Sequence, residues 1–326
     1  MNIALILLCF VAVFAGSIVY VYRFRGEVRY ESFGQYFRKS WPIFAPLNCM
    51  LYFFTAPRAR RAIMARERFP ELDVIRDNWE TIRAEAEQLL HGQAFEHTAD
   101  PGAGGYYDVG FRTFYKYGWR KFYLKWYGYT HHSARASCPE TLKILAQVPS
   151  VNGAMLTVLP PGGKLTPHSD PAACSLRYHL GLATPNDDAC YINIDGTDHS
   201  WRDGQDLLFD ETYRHYAHND TDRHRLILMC DVERPTWLVG PVVNFVYKGL
   251  MRATVVPNTD DDRRGFANRV FARLSPLLAD IRTLKHTNNA RYQVIKHSAN
   301  AVLLTLVAGV VVGAAYSLHA VVTLAG

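Results

Sequence analysis

Three side chains near the middle of the 326-residue chain have types and spacing that suit a metal ion: His168, Asp170 and His215. In extended backbone, residues two apart point to the same face, so His168 and Asp170 can grip one ion together. His215 lies 45 positions beyond Asp170. Two imidazoles and one carboxylate occupy one face of an octahedron and leave positions for a co-substrate and O2, an arrangement that suits non-haem Fe(II). The same donors also suit a zinc hydrolase, and a His-x-Asp pair can be a simple hydrogen bond in a core. Arg225, ten residues after His215, adds to the iron reading. It precedes the apolar run LILMC, where an inward guanidinium without an anion is costly. Placed there, it can take the far carboxylate of 2-oxoglutarate as a bidentate pair. The competing reading is a salt bridge from Arg225 to Asp231 or Asp210.

Positioning these groups requires short strands. Runs at 154–159, 175–183, 190–194, 206–209 and 224–232 read as strands, with His215 near the end of another. Turn signals separate them: Pro160-Pro161-Gly162-Gly163, Pro185-Asn186-Asp187-Asp188, Asp195-Gly196, Asp203-Gly204 and Asn219-Asp220. This spacing predicts a mainly β catalytic core, a double-stranded β-helix or jelly roll, with flanking helices. Residues 69–91 read as one helix with a mixed face.

Hydrophobic residues make up 49% of the chain and charged residues 20%, enough for a sizeable core and against wholesale disorder. Six cysteines at irregular spacing, without a C-x-x-C pair, read as mostly buried thiols in a reducing compartment. Ile3 to Tyr22 is an uncharged run followed by Arg23, Arg25 and Arg29, and 301–324 is a second one preceded by Lys285, Arg291 and Lys296. Each is long enough to cross a bilayer. Both basic flanks face the middle of the chain, so the positive-inside rule places that middle in the cytosol, with one transmembrane helix at each end. Trp41 to Phe54 and Thr236 to Val256 are apolar and read as interfacial segments lying on the membrane. The resulting organisation is an anchor at 1–24, an interfacial and helical segment at 25–150, the β core at 151–235, membrane-surface and connecting helices at 236–298, and a second span at 299–326.

The net charge of +6 recurs beside apolar and aromatic stretches rather than in one tail, which suggests contact with anionic lipid and no nucleic-acid partner. The stretch FRTFYKYGWRKFYLKWYGY at 111–129 interleaves aromatics with Lys116, Arg120, Lys121 and Lys125. It reads either as a surface holding an anionic lipid head group or as a strand pair with a solvated basic face.

PHSDPAACSLRYHLGL at 167–182 and FDETYRHYAHNDTDRHRLILMCDVERP at 209–235 resemble the aspartyl/asparaginyl beta-hydroxylase family. APLNCMLYFF, GWRKFYLKWYG and PSVNGAMLTVLPPGGKL, with both terminal apolar runs, are similar to the bacterial lipid A acyl-chain 2-hydroxylases. The resemblance implies an Fe(II)/2-oxoglutarate-dependent dioxygenase in the inner membrane of a Gram-negative bacterium, hydroxylating an acyl chain of lipid A at carbon 2. Residue by residue, it implies that His168 and His215 hold iron, that Arg225 and Thr157 hold the distal carboxylate of 2-oxoglutarate, and that Arg177 and His179 lie near its other carboxylate. The animal peptide hydroxylases carry glycine where this chain has Asp170, which implies a third iron ligand here and argues against their peptide substrate. The alternatives are another membrane lipid such as an ornithine lipid, a peptide Asp/Asn side chain, and a non-catalytic membrane-bound ligand sensor.

Overall fold

In the computed structural model of the chain, residues 3–100, 103–106, 108, 110, 117–295, 297–298, 309, 313 and 316 are described. Residues 22–271 form one compact unit, and 1–21 with 272–326 form another. The second unit contains most of α1 (Ile3–Arg23), of which Ala4–Arg23 is long and apolar enough to cross a membrane. The expected C-terminal span falls almost wholly outside the described residues.

The larger unit begins with α2 (Phe33–Lys39), α3 (Ala45–Phe54), α4 (Asp73–Asp77), α5 (Trp79–His91) and α6 (Ala94–Ala99). The single helix expected over 69–91 is broken: a 3-10 turn at Pro70–Leu72 leads into α4, and Asn78 separates α4 from α5. The Asn78 amide caps the Val74 carbonyl at 2.8 Å, the local side-chain bonding that ends helices. Strands β1 (Arg120–Trp126) and β2 (Tyr129–Thr130) precede α7 (His132–Ser137) and α8 (Pro139–Ala146).

Eight strands then build the core: β3 (Val151–Leu159), β4 (Lys164–His168), β5 (Ser175–Ala183), β6 (Cys190–Ile194), β7 (Thr197–Ser200), β8 (Asp206–Phe209), β9 (His215–Asn219) and β10 (Arg225–Glu233). They pair antiparallel in two sheets, ordered β2-β1-β3-β10-β5-β8 and β4-β9-β6-β7. Consecutive core strands mostly alternate between the sheets, the winding of a double-stranded β-helix. The chain leaves through α9 (Gly240–Arg252) and α10 (Phe266–Thr287).

The period of two along each strand separates two environments. On β10, Leu226, Leu228, Cys230 and Val232 join Leu156, Tyr178 and Leu180 in an apolar layer under Ile75, Ile82 and Leu145 of the helices. The alternate residues Arg225, Ile227, Met229 and Asp231 face the second sheet. Gly181 marks where β5 meets the loop before β8. A Cβ there would sit 2.0 Å from the Arg202 carbonyl oxygen, so only glycine permits this approach. Gly181→Ala is therefore expected to cost about 2 kcal/mol of stability through overpacking. Denaturant unfolding measures it, and a change within error would show that the loop can shift freely.

Candidate metal centre

His168 ends β4 and His215 opens β9, and the two are register partners. The register shifts between Leu165 and His168. Pro167 lies in that interval; it cannot donate to a ladder and is tolerated because β4 is an edge strand. The imidazole centroids stand 4.3 Å apart. Each ring is oriented by the carbonyl two residues before it: His168 Nδ1 to Thr166 at 2.7 Å and His215 Nδ1 to Tyr213 at 2.9 Å. With Nδ1–H donating, each Nε2 keeps its lone pair for an ion. Asp170 completes the group, and the three ligand atoms lie within 4.8 Å of one another. Burial holds the His168 imidazolium down to about 4, and His215 also falls well below the ordinary range, so both rings are neutral and ready to ligate at neutral pH.

Asp170 is held from behind. Arg177 on β5 donates to its Oδ2 at 3.1 Å, is ion-paired with Glu211, and lies 3.3 Å from Asp231. Burial pushes the Glu211 carboxyl up to about 8 and Asp231 up to about 6. The Arg177 guanidinium opposes that rise in Glu211, Asp231 and Asp170 alike. The Arg177 guanidinium thus contacts three protein carboxyls while also lining the cavity of the candidate ligands. Arg177 and His179 are both buried. His179 accepts from Trp201 Nε1 at 3.3 Å on Nδ1, while its buried Nε2 faces the cavity without a hydrogen bond.

Arg225 is the opposite case. It is 1% exposed and shares the cavity wall with Thr157, Trp201 and the three candidate ligands. Its Nη2 donates to Thr157 Oγ1 at 3.2 Å, its Cζ lies 4.4 Å from the Trp201 ring centroid, and among the described residues its Nε has no hydrogen-bond partner. Neither competing carboxylate reaches it: Asp231 faces Arg177, and Asp210 is paired with Arg25 at 2.6 Å and Arg234 at 2.7 Å. Burial without a counter-ion pulls the Arg225 guanidinium down to about 10. Among the described residues, this buried cation has no carboxylate partner, and it points into a cavity that also holds three metal-type donors.

The basic residues of 117–129 do not all lie on the surface. Lys116 lies outside the described residues. Lys121 is buried and ion-paired with Asp108, because its position on β1 turns it inward beside Thr157. Arg120 and Lys125 are partly exposed. Arg25, expected as a membrane-flanking charge, is likewise turned inward onto Asp210 and over the Tyr52 ring at 3.4 Å. Sequence reasoning missed Glu211 and Trp201. An acidic residue beside Phe209 and Asp210 at the end of β8 was the available signal for the first, and nothing local marked the second.

The aspartyl/asparaginyl beta-hydroxylase family matches residues 76–235, the segment that contains every candidate ligand, Arg177 and Arg225. Over that segment the chain is similar to this family. Among relatives of the domain, an ornithine lipid ester-linked acyl 2-hydroxylase from Rhizobium tropici is 30% identical over 56% of this chain and 64% of its own length. The aspartyl/asparaginyl beta-hydroxylase of Homo sapiens is 31% identical over 36% of this chain and 16% of its own. Human aspartate beta-hydroxylase domain-containing protein 2 is 29% identical over 51% and 45%. The chain thus spans less than two thirds of the length of each of these relatives.

The two buried arginines of this domain should respond oppositely to removal of charge. Arg177→Met leaves Asp170 and Asp231 buried without a cation and is expected to cost about 3 kcal/mol. Arg225→Met removes an uncompensated charge and should stabilise the metal-free protein by about 1 kcal/mol. Thermal unfolding of the two variants decides this. A loss at Arg225 as large as that at Arg177 would mean that Arg225 has a partner in the resting protein.

Proposed function

We propose that the chain is an oxygenase dependent on Fe(II) and 2-oxoglutarate that hydroxylates a fatty acyl chain of a membrane lipid, lipid A being our choice, at the carbon next to the carbonyl. The observation that carries the reading is the uncompensated Arg225 in the cavity of His168, Asp170 and His215. A resting enzyme keeps a buried cation without a partner at a cost, and an incoming dicarboxylate offsets it. A zinc hydrolase has no use for that cation, and a metal-free sensor has no use for the three convergent donors.

In this reading His168, Asp170 and His215 hold the iron, and Arg225 with Thr157 holds the far carboxylate of 2-oxoglutarate. When bound there, this set supplies insertion of one oxygen atom from O2 into a C–H bond, with 2-oxoglutarate leaving as succinate and carbon dioxide. The chain's own contribution is positioning. Thr166 and Tyr213 fix the imidazole tautomers, Arg177 fixes Asp170, and Trp201 supports both the Arg225 plane and His179. Ile192, Phe209, Ile227 and Met229 line the rest of the cavity and keep water out. Asp170 as a third ligand separates the site from the two-histidine pattern of the peptide hydroxylases, and α1 favours a lipid. By the positive-inside rule, the catalytic unit faces the cytosol at the inner membrane, where 2-oxoglutarate and reduced iron are available.

The relative whose name specifies an ornithine lipid favours a second reading, the same chemistry on that lipid. Mass spectrometry of the lipids of cells with and without the gene separates the two. One added oxygen on an acyl chain of lipid A supports the first, and the same gain on an ornithine lipid alone replaces it with the second. His168→Ala and His215→Ala should each abolish the gain, and retention in either variant refutes the site. Arg225→Lys keeps the charge but loses the planar fork. It should raise the KM for 2-oxoglutarate at least about tenfold, a loss of roughly 1.4 kcal/mol.

A further inference from the structure

Two helices far apart in the sequence lie side by side on the larger unit with their polarity reversed. α3 and α9 pack together, and Thr55 and Thr236 bridge just beyond and before them. In α9 the outward stripe is Val242, Phe245, Val246 and Leu250, at the 3.6-residue period, with Phe245 73% exposed. The inward face carries Val243 and Tyr247 but also Asn244, which donates to the Arg234 carbonyl at 3.1 Å. α3 repeats the pattern: Met50 and Phe53 face out while Asn48 is buried. No residue of 41–56 or 236–247 is charged. A helix facing water carries its polar side chains outward, so these faces are built for an apolar partner.

The backbone gives a second, independent sign. Trp41 and Leu238, in the turns before the two helices, both adopt left-handed backbone, with φ of 53° and 52°. Bulky side chains avoid that region, yet both are held outward, 54% and 71% exposed. Trp237 is exposed beside Leu238.

The third sign identifies the partner. The chain enters this unit from the apolar helix α1 at Tyr22, whose ring packs on Phe33 and Tyr36 at 5.4 and 5.3 Å between centroids. Phe33 and Phe37 are themselves exposed. Tyr22, the first residue of this unit after the apolar helix, thus packs on α2, which ends two residues before Trp41.

We infer that α3, α9 and the Trp41 and Leu238 turns form a surface that docks into the interfacial layer of a phospholipid bilayer, and that this surface is fastened to the loop carrying Asp170. The fastening is direct. Asn48 donates to the Pro171 carbonyl at 2.9 Å and accepts from the Ala173 amide at 3.1 Å and from the Tyr247 hydroxyl at 2.6 Å. Lys39 at the end of α2 accepts from the Ser169 amide at 3.1 Å, and Tyr30 bonds the Ser169 hydroxyl at 2.7 Å. The docked faces therefore set the position of residues 169–173 relative to the bilayer. Docking stands apart from the lipid hydroxylase reading; only its purpose, bringing an acyl chain to the metal centre, rests on that reading.

The test uses the full-length chain in bilayer nanodiscs of phosphatidylcholine brominated near the top of its acyl chains, with tryptophan fluorescence as the readout. Trp41 and Trp237 reach the acyl region, so the wild-type protein should be quenched relative to unbrominated lipid. The conservative double variant Trp41→Phe/Trp237→Phe should lose most of that quenching, with its near-UV circular dichroism otherwise retained. Equal quenching in the two proteins, or none in the wild type, overturns the proposal. Cross-linking of two copies through position 245 without quenching also overturns it, by making the surface a contact between chains. Because no turnover is measured, a failure of docking and a failure of the hydroxylase reading are told apart.

Discussion

The pairing of β4 with β9 that sets His168 opposite His215 is the constraint on which the rest of the centre depends. A strand presents alternate residues to alternate faces, so a slip of one residue would turn an imidazole out of the barrel. The register is held from several sides. Asn219, at the far end of β9, donates to the carbonyls of Leu159, Pro160 and Arg223 and ties β9 to the turns beside it. Ile194 of β6 pairs with His215 from the other side. The carbonyls of Thr166 and Tyr213 then fix each ring, which leaves one nitrogen of each available to a metal.

Around that pair the domain holds two buried arginines in opposite electrostatic states. Arg177 is surrounded by carboxyl groups, which lock its own position and that of Asp170. Arg225 lies on the neighbouring β10 with a hydroxyl and an aromatic face for company and no carboxylate among the described residues. The first arrangement rigidifies a ligand, and the second keeps a place for an anion. Both arginines are on the cavity-facing side of one sheet whose opposite side is an apolar layer under helices. A buried charge is tolerable there only because the strand period separates it from that layer.

The chain's outer features follow the same logic of partners. Lys121 and Arg25, which the sequence offers as surface charges, are drawn inward by Asp108 and Asp210. The apolar residues of α3 and α9 remain outside, where an ordinary soluble fold would have charges. Charge and apolarity have exchanged places relative to a water-facing surface, and the loop bearing Asp170 is bonded to that exchanged surface.

Much of the β core is legible in the sequence. The strands 175–183, 190–194 and 206–209 are found at the expected bounds, because short runs rich in apolar residues between turn signals need no partner to be recognised. The other strands of the second sheet were harder to read. KLTPH, TDHS and HYAHN are short and polar, since that sheet is partly exposed, and His215 begins its strand rather than ending it. Sequence spacing by itself determined which residue types could form a metal site and that Arg225 is an anomaly in an apolar strand. Only the tertiary structure decided which carboxylate each arginine receives, because Asp210, Glu211 and Asp231 are equally plausible along the chain. Their assignment depends on which sheet face each one occupies once the two sheets close.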